Sequence, residues 1–184
     1  MPTANDESMN ADVATATVRY ARARPWTDQW WVTLWWQVQV EGVYKGESLQ
    51  PADTSTYKLI VYEACLAITH VADWVEHDQA NFLTNNDVRV IIDSNSFIKI
   101  ARDVANTAKH HTRQDPSAPT AQVDEVAIAS NAKGMPTRSV TILWNDGKGE
   151  SRAFDALTIV NTAIEEWRAV FVVHGIQDPF PGGL

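Results

Sequence analysis

The chain has 184 residues, 45% of them hydrophobic and 21% charged, a length and balance that predict one globular domain with a real core. Its formal net charge of −8 argues against a general nucleic-acid coat, which needs surplus Lys and Arg, but leaves room for a local basic site. A single cysteine, Cys65, excludes an intramolecular disulfide and a cysteine-based metal site; it sits in an apolar helical run and is expected to be a buried thiol.

The opening stretch, MPTANDESMN, lacks the basic and apolar regions of a signal peptide. No uncharged apolar run is long enough to span a bilayer. The expectation is a cytoplasmic protein with no membrane partner. Residues 1–12 are small and polar and are expected to form a disordered tail. Residues 13–24, VATATVRYARAR, alternate weakly and fit helix or strand.

After Pro25 comes TDQWWVTLWWQVQVEGVYKGES. As a helix it places Trp31, Leu34, Trp35 and Val38 on one face, with Thr27 as N-cap. As a strand it alternates through Val32, Leu34, Trp36, Val38 and Val40. Its length favours helix, and its tryptophans are expected in the core. Pro51 and Asp53 open a long helix over about 52–78, with an apolar stripe of Tyr57, Val61, Ala64, Ile68, Val71 and Val75. Glu63, His70, Asp73 and His77 lie together on another face. Asn85, Asn86 and Asp87 suggest a connection, with a short lead-in at 87–92.

The next helix, Ser94–Thr112, organises the argument. Phe97, Ala101, Val104, Ala105 and Ala108 fall on one side; Lys99, Arg102, Asn106, Lys109, His110 and Arg113 fall on the other. The loop 114–121 carries two prolines. Val123, Val126 and Ile128 suggest an irregular strand, and Val140, Ile142 and Trp144 a firmer one at 138–145. Together they predict an antiparallel pair between about 122 and 146. Asn145-Asp146-Gly147 is a turn signal, and a third short strand fits 150–154. Asp155 caps a final helix over about 155–174, with Leu157, Val160, Ile164, Trp167 and Phe171 on its core face and Gly175 as its stop. The chain is thus expected to be mainly α: one domain over 13–176, a helical bundle with a small antiparallel β-hairpin before the last helix. A flexible tail at 177–184 follows.

The polar face of the Ser94–Thr112 helix can do chemistry. Arg102, Asn106, Lys109 and His110 stand one to two turns apart and can point into one groove. Arg and Lys would hold a phosphate, Asn would orient it, and His could move a proton. That set suffices for metal-independent RNA cleavage. The bland alternative is a solvated face whose cations balance acids such as Asp103. On the preceding helix, His70-x2-Asp73-x3-His77 could hold a metal, but it falls short of the usual ligand sets, so no cofactor or metal is expected. His70 and Asp73 could instead form a structural hydrogen-bond network, or face Arg102, Asn106 and His110 across an interhelical groove, with Asp73 as the natural anion for Arg102 and Asp103 as its local competitor.

The runs AITHVADWVEHD (67–78), ARDVANTAKHH (101–111) and WNDGKGESRAFDALTIVNTAIEEW (144–167) resemble a group of uncharacterised bacterial proteins with His-x-x-Asp-Trp and Arg-Asp-x-Ala-Asn-x-x-Lys-His helices. More distantly, Arg102-Asp103 is similar to the first half of the pattern of HEPN-like helical bundles. Many of those are metal-independent ribonucleases of toxin–antitoxin and phage-defence systems. Seven residues separate Arg102 from His110, against four to six in that pattern. The polar groove and the resemblance together predict catalysis by Arg102, His110 and His70, binding by Asp73, Asn106 and Lys109, RNA or another phosphate-bearing ligand as partner, and a homodimer of the HEPN type. The competing expectation is a non-enzymatic interaction module acting through oligomerisation or a protein partner.

Overall fold

The computed structural model describes residues 25–47, 54–78, 83–109, 118–130, 134 and 136–184. The expectations for residues 1–24, the loop at 114–117, His110 and Arg113 lie outside them, as does the side chain of Lys109. Among the described residues the order is α1 (Pro25–Lys45), α2 (Thr54–His77), α3 (Asn85–Ser94), α4 (Ser96–Lys109), β1 (Thr120–Ser130), β2 (Pro136–Asn145), β3 (Ser151–Asp155) and α5 (Ala156–Val173). The protein is mainly helical, with a small antiparallel sheet inserted before the last helix, as the sequence predicts.

Helix α2 follows its apolar period, and Tyr57, Val61, Ala64, Ile68, Val71 and Val75 are all buried. Cys65 is enclosed beside them, and burial pushes its thiol up to about 12, which leaves it inert. Helix α5 starts where Asp155 Oδ2 accepts from the Thr158 amide at 3.0 Å. It ends at His174, and Gly175 takes the left-handed φ of +67° that a helix stop requires.

Helix α1 starts at Pro25 rather than after a Thr27 cap; proline suits a first helical position because the amide it lacks would have no helical partner. Its buried face also differs from the expected one. Trp26, Trp30, Leu34, Val40 and Val43 are buried, whereas Trp31, Trp35 and Val38 are 44%, 39% and 43% exposed. Large apolar residues run all round this helix, so periodicity alone does not choose its face. Contacts with Phe171 choose it: the Trp26 and Trp30 rings meet that ring edge-on at 5.2 and 5.0 Å.

Asn85–Asp87 is not a connection but the first turn of α3. Thr84 and Asp87 form a capping box, in which the Thr84 amide donates to Asp87 Oδ2 at 2.8 Å and the Asp87 amide to Thr84 Oγ1 at 3.3 Å. The Thr84 hydroxyl, which donates to Asp87 Oδ2 at 2.6 Å, and then the Thr84 amide hold the Asp87 carboxyl below its usual range. Nor is Ser94 part of the following helix. Asn95 is extended at φ −110° and ψ 106°, and its side chain donates to the Ile91 carbonyl at 2.7 Å, which ends α3 and restarts the chain as α4. The free amides at the start of α4 find an anion from α5: Glu166 accepts from Phe97 at 3.1 Å and Ile98 at 2.8 Å.

The three described strands lie in the order β1-β2-β3, all antiparallel. An extra residue between Val123 and Val126 makes a bulge in β1, the irregularity expected there. Val123, Val140 and Ile142 bring the inner face of the sheet into the core. At the β2–β3 turn, Asp146 Oδ1 accepts from the Lys148 and Glu150 amides at 2.7 and 3.0 Å, and these amides lower its carboxyl pKa. The segment expected as a flexible tail carries an anchor. Asp178 accepts from the Trp30 indole at 2.8 Å, from Arg168 at 3.3 Å and from the Phe180 amide at 2.8 Å.

The Tyr44 hydroxyl ties α1 to the sheet and to α5. It donates to Asp155 Oδ1 at 2.6 Å and accepts from the Val140 and Leu157 amides at 3.0 and 3.3 Å. Burial, then the bond to Asp155, raises its pKa from 10.0 to about 12. A raised folded-state pKa gives stability that is fully present below the unfolded value and lost as pH rises through the folded one. Denaturation curves between pH 9 and 12 should therefore show stability falling between pH 10.0 and about 12, with a shallower fall in Tyr44→Phe. Equal slopes would show that the phenol is not linked to folding.

Trp167 is fully buried, so Trp167→Ala should cost about 3–5 kcal/mol in urea denaturation. Exposed Trp31→Ala should stay within about 0.5 kcal/mol. The reverse ranking would mean that the faces of α1 and α5 are misassigned.

Candidate functional site

Helices α2 and α4 pack together, as expected, but α3 stands between them in sequence where a short loop was expected. This changes the partners of the expected polar cluster. The Arg102 guanidinium lies 3.6 Å from Asp93 Oδ1, at the end of α3, and 3.7 Å from Asp103 Oδ1, its neighbour on α4. Asp93 and Asp103, not Asp73, are thus the carboxylates paired with Arg102. Asp73 is exposed on α2, where its backbone carbonyl bonds His77 Nδ1 at 2.6 Å.

Asp103 is the buried member of this group, only 2% exposed. Its Oδ2 accepts from the Trp144 indole of β2 at 3.0 Å, and its other oxygen faces Arg102. A carboxylate taken out of water needs such partners, and two elements supply them. Arg102 therefore serves as a countercharge that joins α3 to α4. Asn106 is half-buried one turn along. Among the described residues, no three His, Cys, Asp or Glu side chains are placed to hold a metal ion, so His70, Asp73 and His77 do not form a centre.

His70 goes elsewhere. It is half-buried in a cleft of about 860 Å³ between α2, α4 and the start of β1. The α2 wall presents Leu59, Tyr62, Glu63, Leu66 and His70, which recur every three or four residues along one face. Ala105, Thr107 and Ala108 form the α4 wall, and Gln122 closes the β1 side. Two hydroxyls fix these walls to the sheet. Tyr62 accepts from the Val123 amide at 3.3 Å, and Thr107 accepts from the Ala121 amide at 3.2 Å while donating to the Asp103 carbonyl at 2.8 Å. A shallower cleft of about 610 Å³, lined by Trp144 and Arg152, continues past Thr107 and Gln122. The cleft is mostly apolar and carries Glu63 and His70 beside the Tyr62 phenol. Neither the Glu63 nor the His70 side chain has a hydrogen bond or ion pair among the described residues.

Of the residues singled out in the sequence, the fold brings His70 to the C-terminal half of α4 but separates it from Arg102's partners. Sequence reasoning grouped Glu63 with His70 but missed Leu59, Tyr62 and Leu66, although their spacing marks a second apolar stripe on α2. It missed Asp93 and Trp144 because nothing local points from either to Arg102 or Asp103. Among the described residues, no helix is long and apolar enough to cross a membrane. No family model, curated protein or solved structure matches the chain.

Trp144→Phe removes the indole donor together with one ring of the bicyclic side chain. Loss of a hydrogen bond to a buried carboxylate should cost about 1.5–3 kcal/mol by urea denaturation. A cost below about 0.5 kcal/mol would place Asp103 in contact with water.

Proposed function

We propose that this chain is a non-enzymatic binding module of the cytoplasm whose ligand site is the cleft between α2, α4 and β1. One observation carries the reading: a mostly apolar cleft of about 860 Å³ holds two ionisable side chains, Glu63 and His70, without described partners. Small-molecule sites have this form, with volumes of about 300–1,000 Å³, apolar walls and a few polar groups that fix orientation. The outward-facing Trp31 and Trp35 add a surface on which a protein partner or a second copy could rest.

The rival reading is a HEPN-like ribonuclease or RNA-binding protein of a toxin–antitoxin or phage-defence type, working as a homodimer. It would use Arg102, His110 and His70 for catalysis and Asp73, Asn106 and Lys109 to hold phosphate. Arg102 is its central cation, and Asp93 and Asp103 already balance that charge. The acidic net charge also works against phosphate. Both facts favour the binding module.

Two assays separate the readings. A panel of small apolar molecules, followed by ligand-observed NMR, should give hits on the wild type. Those hits should vanish in Ala108→Trp, which fills the cleft from an exposed position. A panel of RNAs incubated in EDTA should remain intact and unbound. RNA cleavage that disappears in folded Arg102→Ala would reinstate the ribonuclease, and hits that persist in Ala108→Trp would remove the cleft from the account.

A further inference from the structure

The side chains along the α2 wall are graded rather than uniform. Leu59 and Leu66 are apolar, Tyr62 is an aromatic ring held at its hydroxyl by β1, and Glu63, the next residue, lines the same cleft. Among the described residues lining the cleft, Glu63 carries the only formal charge at pH 7 with histidine neutral. It is half-buried, so the cleft weakens its hydration, and no described cation compensates it. A carboxylate next to an aromatic ring suits an ammonium group, which the carboxylate can bond and the ring face can attract. His70 lies two helical turns further along the same wall, about 10.5 Å away along the axis. Leu66 lies between them on α2, and Ala105 and Ala108 line the α4 wall of the cleft. The net charge of −8 draws cations toward the protein in general and repels anions.

We propose that the cleft takes a protonated amine with an extended apolar body, its ammonium at Glu63 and Tyr62 and its apolar part along Leu66, Ala105 and Ala108 toward His70. This assignment rests on the binding-module reading above and adds the class of ligand. It also assigns separate roles: Glu63 selects charge, whereas the alanines of α4 leave room for the chain.

Three probes of equal chain length test it: n-octylamine, n-octanoate and n-octanol, titrated by calorimetry and followed by NMR at pH 7 and low salt. The expected result is saturable binding of n-octylamine about tenfold or more tighter than the other two. Glu63→Gln, which keeps the side-chain shape, should shrink that preference to less than about threefold. His70→Phe should leave the preference intact, and Ala108→Trp should abolish binding of all three. Binding of n-octanoate or n-octanol at least as tight as the amine, still lost in Ala108→Trp, would overturn the amine assignment and leave the binding module standing. An amine preference that survives Glu63→Gln, or is lost in His70→Phe, would also overturn it. No saturable binding of any probe, or binding unchanged in Ala108→Trp, would overturn both readings.

Discussion

The fold depends most on the placement of one indole. Trp167 is fully enclosed where α5 meets α2, and its Nε1 donates to the Ile68 carbonyl at 3.2 Å. An indole can be buried cheaply only when its N–H finds an acceptor, so this bond fixes the height and rotation of α5 against α2. Phe171, one turn on, then receives Trp26 and Trp30 of α1. One turn of α2 accepts from both neighbours: the Ala67 carbonyl accepts from the Gln29 side chain (Nε2) of α1 at 2.9 Å, and the Ile68 carbonyl from the Trp167 indole. The three helices are therefore locked in register by directional bonds as well as by apolar area.

Once α2 commits that face to α1 and α5, its opposite flank is left to α4 and β1. That flank carries Leu59, Tyr62, Glu63, Leu66 and His70, and the small residues Ala105 and Ala108 facing it do not fill the space. The cleft thus follows from a large-to-small mismatch across one helix pair. The polar stripe of α4 is spent differently. Arg102 bridges Asp93 and Asp103, and Asp103 receives Trp144 from the sheet, so the most conspicuous charges of the sequence hold α3, α4 and β2 together.

Much of this architecture was legible in the residues. The apolar period of α2, the Asp155 cap and Gly175 stop of α5, and the alternation of Val140 and Ile142 each match the structure. These are local signals with one dominant period. The buried face of α1 was not legible, because Trp30, Trp31, Leu34 and Trp35 offer competing stripes and only Phe171 decides among them. Helix α3 was read only as a short lead-in at 87–92 although Thr84 and Asp87 spell a capping box, since Asp is a less usual partner than Glu in that motif. For the candidate site, His70 and Glu63 were visible as neighbours on α2. Asp103 was legible as a local partner of Arg102, but Asp93 was not, because it sits on α3, nor was Trp144, which reaches Asp103 from a strand far along the chain.

The central claim is that the charge of Arg102 belongs to the fold and leaves the cleft as the place where the protein meets its ligand. A double-mutant cycle on folding stability tests it most directly, using Arg102→Met, Asp103→Asn and the pair. The account predicts a coupling of about 0.5–3 kcal/mol between them. Additive effects, with Arg102→Met as stable as wild type, would show a cation free to act on a ligand and would contradict it.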